Sequence, residues 1–111
     1  MVIKDYKELL IWKKGIALVT DIYQATHTFP KEERFGLTSQ MQRAAVSIPA
    51  NIAEGFCRRH PKEYKQFLSI ALGSCAELET LLIIAQNLGY IQENASLFLE
   101  RINHESRMIN R

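Results

Sequence analysis

The sequence has few of the residues that disulfide frameworks, metal sites and phosphate-binding loops require. Among its 111 residues there are only 2 cysteines, 3 histidines and 5 glycines. Two cysteines without a C-x-x-C spacing indicate neither a disulfide framework nor a zinc motif, so we expect Cys57 and Cys75 to be buried free thiols. The chain also lacks a run of about eighteen apolar residues and an apolar N-terminal segment, which predicts a cytoplasmic protein without a membrane partner.

The residues of a catalytic site are missing as well. A ferritin-like metal site needs Glu-x-x-His on two helices, and no glutamate in this sequence has a histidine three residues later. His27, His60 and His104 are scattered near predicted helix ends. There is no glycine-rich phosphate loop and no nucleophile elbow. We therefore predict that the protein is not an enzyme and uses no metal and no cofactor.

What the sequence does contain is helical periodicity, and residues 40–55 (QMQRAAVSIPANIAEG) show it on two faces. At about 100° per residue, a broad apolar arc consists of Leu37, Met41, Ala45, Ile48, Ile52 and Phe56, with Ala44 at its edge. A second arc of small apolar residues consists of Val46, Ala50, Ala53 and Cys57. An ordinary amphipathic helix has one apolar face. Because this helix has two, we predict that the second arc contacts another copy of the chain.

A narrow polar stripe separates the two arcs. It consists of Gln40, Arg43, Ser47, Asn51 and Glu54. Side chains between two apolar faces should be partly buried and need hydrogen-bond partners. We expect a structural network in which Arg43 pairs with a carboxylate of the third helix, Glu77 or Glu79. A ligand or RNA site along the stripe is the alternative, although its one arginine and one glutamate nearly cancel.

The first helix is predicted from its capping box and its spacing. Asp5 and Glu8 form the box that opens it, and it runs to about His27, because the Phe-Pro pair at 29–30 cannot continue a helix. Its predicted inward face is Leu9, Trp12, Ile16, Val19 and Tyr23, broadened by Leu18 and Ile22.

Three more helices complete the predicted fold. The second carries Pro49, which has no amide hydrogen and should bend the helix. The third opens at Pro61, repeats a bundle seam over three heptads and stops at Gly89. The fourth begins at about Asn94, and its polar last residues are expected to fray. Short connections between four helices predict one all-α domain over residues 1–111, an antiparallel up-down-up-down bundle.

This topology gathers the positive charges at one end of the bundle. Ten cations and only four acids fall there, a local net charge of +6, while the rest of the chain carries −4. Such a basic end attracts phosphates. The candidate RNA-binding or partner-binding residues are Arg58, Arg59, Lys62, Lys65, Lys4, Lys7, Lys13 and Lys14. A set of solvated surface charges without a binding role is the alternative.

Two segments of the chain resemble a known bacterial family. They are LTSQMQRAAVSIPANIAEG and YKQFLSIALGSCAELETLLIIAQNLGYI, and the similarity extends from YKELLIWKKG to about Ile91. The chain resembles the 23S rRNA intervening-sequence proteins and, more distantly, the accessory protein of diversity-generating retroelements. The resemblance implies a four-helix bundle whose second helix continues through Pro49, and an assembly of five copies. The family name reflects the position of some of its genes inside inserts in rRNA genes, and it implies no activity.

These observations predict a non-enzymatic homo-oligomer, a pentamer by resemblance, that binds RNA or a ribonucleoprotein through its basic end. The alternative is a scaffold ring that binds a protein partner and has no nucleic-acid role, its charge asymmetry serving steering or solubility. Binding that weakens steeply with salt would indicate RNA.

Overall fold

The computed structural model describes residues 2–111, which form four α-helices and two short 3-10 turns without a strand among them. The helices are α1 (Leu10–Thr26), α2 (Leu37–Cys57), α3 (Pro61–Asn87) and α4 (Ala95–Ile109). α2 packs against α1 and α3, and α4 packs against α3 and less extensively against α1. The body measures 45 × 24 × 18 Å, so the ~40 Å of α3 spans most of its length. The prediction of an all-α bundle is confirmed.

The broad apolar arc of α2 lies in the core, as predicted. Met41, Ala45, Ile48 and Ile52 are completely buried. The largest buried apolar side chains of the other helices are Leu18, Ile22, Leu78, Leu82 and Ile102. Burial of one such leucine or isoleucine is worth about 1.5–3 kcal/mol relative to exposure, which exceeds the ~0.2–1 kcal/mol of an exposed ion pair. The packing of this cluster therefore dominates the stability of the fold.

The start of α1 differs from the prediction. The capping box is present, and the Asp5 carboxylate accepts a hydrogen bond of 2.9 Å from the Lys7 amide. It caps a 3-10 turn, Tyr6–Glu8, and not the α-helix. Leu9 then adopts an extended conformation (ψ 130°), so the α-helix begins only at Leu10.

The face that α1 turns inward is also different. Its buried residues are Gly15, Leu18, Ile22 and Thr26, whereas most of the predicted face lies at the edge of the core or outside it. Ile16 remains 39% exposed and Tyr23 46% exposed. The reason is Gly15: a Cβ atom at this position would lie only 3.3 Å from the Pro49 Cβ. The missing side chain lets α1 approach α2 closely with this face, which turns the larger residues outward.

The ends of α3 and α4 follow from their local sequences. His60 Nδ1 accepts a hydrogen bond of 3.3 Å from the Lys62 amide, and Pro61 opens α3. After α3, Gly89 adopts a φ of +79°, and the Tyr90 amide donates to the Ala85 carbonyl oxygen at 2.9 Å, which is the hydrogen bond of a glycine C-cap. The predicted fraying of α4 is wrong, because Ile109 is buried and holds the last turn in place.

α2 is helical on both sides of Pro49, and the predicted bend stays a prediction. The Gln42 side chain of α2 donates to Thr26 Oγ1 at the end of α1 at 3.1 Å, and Arg59 Nη2, just after α2, donates to the carbonyl oxygen of Lys4, ahead of α1, at 3.2 Å. These pairs accord with the antiparallel course, which also stays a prediction.

Candidate functional site

The basic end of the bundle brings two distant parts of the chain together. The hydrogen bond between Arg59 and Lys4 joins residues 55 positions apart. Arg59 lies in the turn between α2 and α3 with a φ of 60°. All eight predicted binding cations are exposed: Arg58, Arg59, Lys62, Lys65, Lys4, Lys7, Lys13 and Lys14. Their side chains are therefore accessible to an anionic partner.

Arg58 is the cation of this end that already has acidic partners. Its guanidinium lies 3.2 Å from a Glu54 carboxylate oxygen and 3.8 Å from one of Glu63. It also lies 5.1 Å from the centre of the Phe67 ring. Glu54 therefore belongs to the basic end and lowers its net charge by one. Because these pairs are exposed, they are weak and a phosphate could replace them.

The polar stripe of α2 forms a smaller network than predicted. Ser74 Oγ donates to Ser47 Oγ at 2.7 Å, and Asn51 Nδ2 donates to the Ser47 carbonyl oxygen at 2.7 Å and to Ser47 Oγ at 2.9 Å. The other three members, Gln40, Arg43 and Glu54, are exposed in the single chain. Ser74 was missed by sequence reasoning, although it faces the stripe across the α2–α3 contact.

The predicted ion pair of Arg43 is absent from the described residues. Three salt bridges occur within residues 2–111, and none of them involves Arg43, Glu77 or Glu79. The physical reason is that Arg43 is exposed in the single chain. A guanidinium in water needs no carboxylate partner, whereas moving it into the half-buried surroundings of Glu79 would cost desolvation.

An uncovered apolar surface lies between α1 and α2. It surrounds a groove of about 220 Å³, and we call it the α1–α2 apolar surface. Its members are Trp12, Ile16, Val19, Val46, Ala50 and Ala53. Val46 is 41% exposed, so the second arc of α2 has no cover within the chain. For the same reason the expectation of a buried thiol is wrong for Cys57, which is exposed, although it is right for Cys75.

Glu105 is the residue that sequence reasoning placed wrongly. It is one of the four acids counted at the basic end from the sequence, together with Asp5, Glu8 and Glu63, but it is 2% exposed, and neither carboxylate oxygen has a hydrogen-bond partner. A Cβ on Gly15 would lie 3.2 Å from its Oε2 atom. Burial raises the pKa of Glu105 to about 7, while the nearby Lys14 lowers it. Its spacing of three residues from Ile102 and four from Ile109 was the available signal.

Burial also governs the chemistry of Cys75. Desolvation, followed by the charges of Glu105 and Glu79, raises the pKa of this thiol to about 12. The thiolate is the reactive form, so Cys75 is inert at neutral pH.

Within residues 2–111, no group of three or more His, Cys, Asp or Glu side chains is placed to hold a metal ion. α3 is long and apolar enough to span a membrane, a property that it shares with core helices of helical bundles.

The helices and these surfaces define the class of protein: a compact helical bundle with a basic end and an exposed apolar surface between α1 and α2. The chain belongs to the 23S rRNA-intervening sequence protein family, whose family model matches residues 7–111. The resemblance noted in the sequence is thereby confirmed for this family. A comparison with curated proteins gives no match.

A solved structure has the same fold. It is a protein of unknown function from the S23 ribosomal protein family of Bacteroides thetaiotaomicron VPI-5482. The two structures superpose with a TM-score of 0.80, and the match covers 90% of this chain and 94% of that one. Sequence identity is 20%, so the likeness supports the fold alone.

Proposed function

We propose that the protein is a non-enzymatic, cytoplasmic homo-oligomer that binds RNA or a ribonucleoprotein through its basic end. The observation that carries the RNA proposal is the contact of Arg59 with Lys4, which joins the cations of the N-terminal segment to those of the α2–α3 turn.

The α1–α2 apolar surface supports the oligomer. Ala50 and Ala53 have small side chains, so a helix of a second copy could approach closely there, and larger apolar groups flank them. α3 exposes a second apolar face with Ile70 and Ile84, which lie about 40° apart around the helix. A ring requires two different faces that meet head to tail, and these two faces are candidates. Five copies remain an expectation from the family resemblance, as does the distant kinship with the retroelement accessory protein.

Phosphate contacts at the basic end would give affinity with little choice of sequence, because base edges and not phosphates carry sequence information. If about four cations contact a single strand, the logarithm of the binding constant should fall with the logarithm of salt concentration with a slope of about −3. A ring with its basic ends on one face would multiply these contacts.

The test uses charge reversals that leave the fold intact. Lys62→Glu with Lys65→Glu changes two exposed cations that form no ion pair within residues 2–111. The matched control, Lys31→Glu with Arg34→Glu, makes the same change in charge outside the basic end. We expect the first pair to lower affinity for single-stranded RNA at least tenfold and the control to have little effect. Equal losses would show that net charge alone matters.

A protein-binding scaffold ring with no nucleic-acid role is the second candidate. It is favoured by the pairing of Arg58 with Glu54 and Glu63, which uses part of the positive charge inside the chain. If the wild-type protein binds no RNA at low salt but remains oligomeric, the scaffold function replaces the RNA function.

A further inference from the structure

A second groove, of about 390 Å³, lies between α1 and α4 and shares one lining residue, Lys14, with the proposed RNA contacts. Its apolar wall is formed by Ala17 and Leu18 of α1 and by Leu97 of α4, which is 56% exposed. The volume lies within the range of small-molecule sites, which combine apolar walls with a few polar groups.

The charges along this groove are unevenly distributed. At one end Arg101 Nη1 lies 2.7 Å from an Asp21 carboxylate oxygen, so both charges are satisfied. Towards the other end the groove is lined by Lys14 and Arg107, which form no salt bridge within residues 2–111. His104 lies between the two ends, and Glu100 is the one acid among the lining residues.

The buried acid beside Lys14, Glu105, offsets only part of this charge, because burial raises its pKa to about 7. Glu105 packs against Gly15, next along α1 from Lys14, and its carboxyl group is shielded from water. The groove thus has an apolar middle, one neutralised end and one end with two available cations. A ligand that complements it needs an apolar body and an anionic group at one end only.

We propose that the α1–α4 groove binds a free amphiphilic carboxylate with an unbranched alkyl chain of medium length. The carboxylate lies between Lys14 and Arg107, and the alkyl chain follows Ala17 and Leu18 towards the Asp21–Arg101 pair. The seven residues from Lys14 to Asp21 span ~10 Å along α1, which is about the length of an extended eight-carbon chain. A chain of two more carbons would lie over this ion pair, which offers no apolar contact, and Leu97 is a further turn along α4.

The test is a calorimetric or NMR titration with sodium hexanoate, octanoate and decanoate, with 1-octanol as the uncharged probe. Full burial of a methylene group tightens binding about fourfold, so in this open groove we expect a two- to fourfold gain per methylene up to octanoate and little gain beyond. Octanol should bind at least tenfold more weakly than octanoate. Amide shifts should centre on Ala17 and Leu18.

Two variants test separately how the groove recognises the carboxylate and how it recognises the alkyl chain. Lys14→Glu with Arg107→Glu should abolish octanoate binding, whereas the charge-matched Lys31→Glu with Arg34→Glu should not change it. Ala17→Phe fills the groove without a change in charge and should also abolish binding. The proposal is overturned if octanoate and octanol bind equally, if Ala17→Phe binds normally, or if the shifts centre on Ala50. Because Lys14 is also a candidate RNA contact, RNA binding by Ala17→Phe shows whether the two functions fail separately.

Discussion

Replacing Glu105 by glutamine should remove most of the pH dependence of the stability of the fold. In the folded chain, burial raises the pKa of this carboxyl from 4.5 to about 7. The folded state therefore binds more protons than the unfolded state between these values. The contribution of this carboxyl to the free energy of unfolding is complete below about pH 4.5, decreases as the pH rises towards about 7, and is lost above that pH.

The difference of about 2.5 pKa units corresponds to about 3 kcal/mol at high pH. Glutamine has nearly the same shape and cannot ionise. We therefore expect Glu105→Gln to lie within about 1 kcal/mol of the wild type at pH 5 and to exceed its free energy of unfolding by up to about 3 kcal/mol near pH 9. For a chain of this length that is a Tm difference on the order of 10 °C.

Urea unfolding followed by circular dichroism between pH 5 and pH 9 measures this difference, at one protein concentration because assembly also stabilises the fold. The matched control is Glu100→Gln, an exposed glutamate on the same helix. The neighbouring Cys75 does not interfere, since burial raises the pKa of its thiol to about 12. If the curves of Glu105→Gln and the wild type run parallel over the whole range, the carboxyl is not buried as described.

Three further predictions test the surfaces and the packing. Ala50→Glu should dissociate the oligomer, as measured by light scattering, because it places a charge in the proposed subunit contact. A thiol reagent should label Cys57 slowly in the oligomer and rapidly in that variant, and should leave Cys75 unlabelled in both. Gly55→Ala should lower the free energy of unfolding by about 1–3 kcal/mol, because its Cβ would lie 2.6 Å from an aromatic side chain of α3. The matched Gly73→Ala should raise it by about 0.5–1 kcal/mol, because nothing lies within 4 Å of a Cβ at that position.

Hydrophobic periodicity predicted the buried face of α2 correctly because this face carries more apolar residues than any other face of the helix. Met41, Ile48 and Ile52 are large, evenly spaced and completely buried, and no other orientation of the helix buries as much apolar surface. The same rule predicted all four helices, and proline and glycine marked the end of α1 and both ends of α3.

Hydrophobic periodicity predicted the wrong inward face for α1 because it reflects only the apolar area of the side chains. It contains no information on how closely two helices can approach. Gly15 contributes nothing to an apolar face, yet it determines which face of α1 meets α2. Glu105 was misplaced for a related reason: its hydrophilic character indicates a surface position, and only the packing of α1 against α4 buries it. The exposure of Arg43 was likewise a property of three-dimensional packing that residue spacing alone could not give.

The close approach at Gly15 links the two unusual features of the molecule. Because α1 turns Gly15 and Leu18 inward, Trp12 and Ile16 lie next to Val46 and extend the second arc of α2 into a broader apolar surface. The same orientation brings Gly15 against Glu105 and removes that carboxyl from water. The surface proposed for assembly and the acid that titrates near neutral pH are therefore two consequences of one missing side chain. If α1 moves away from the bundle, water reaches Glu105 and the α1–α2 apolar surface changes shape at the same time. We therefore expect assembly to weaken over the same pH range in which Glu105 ionises.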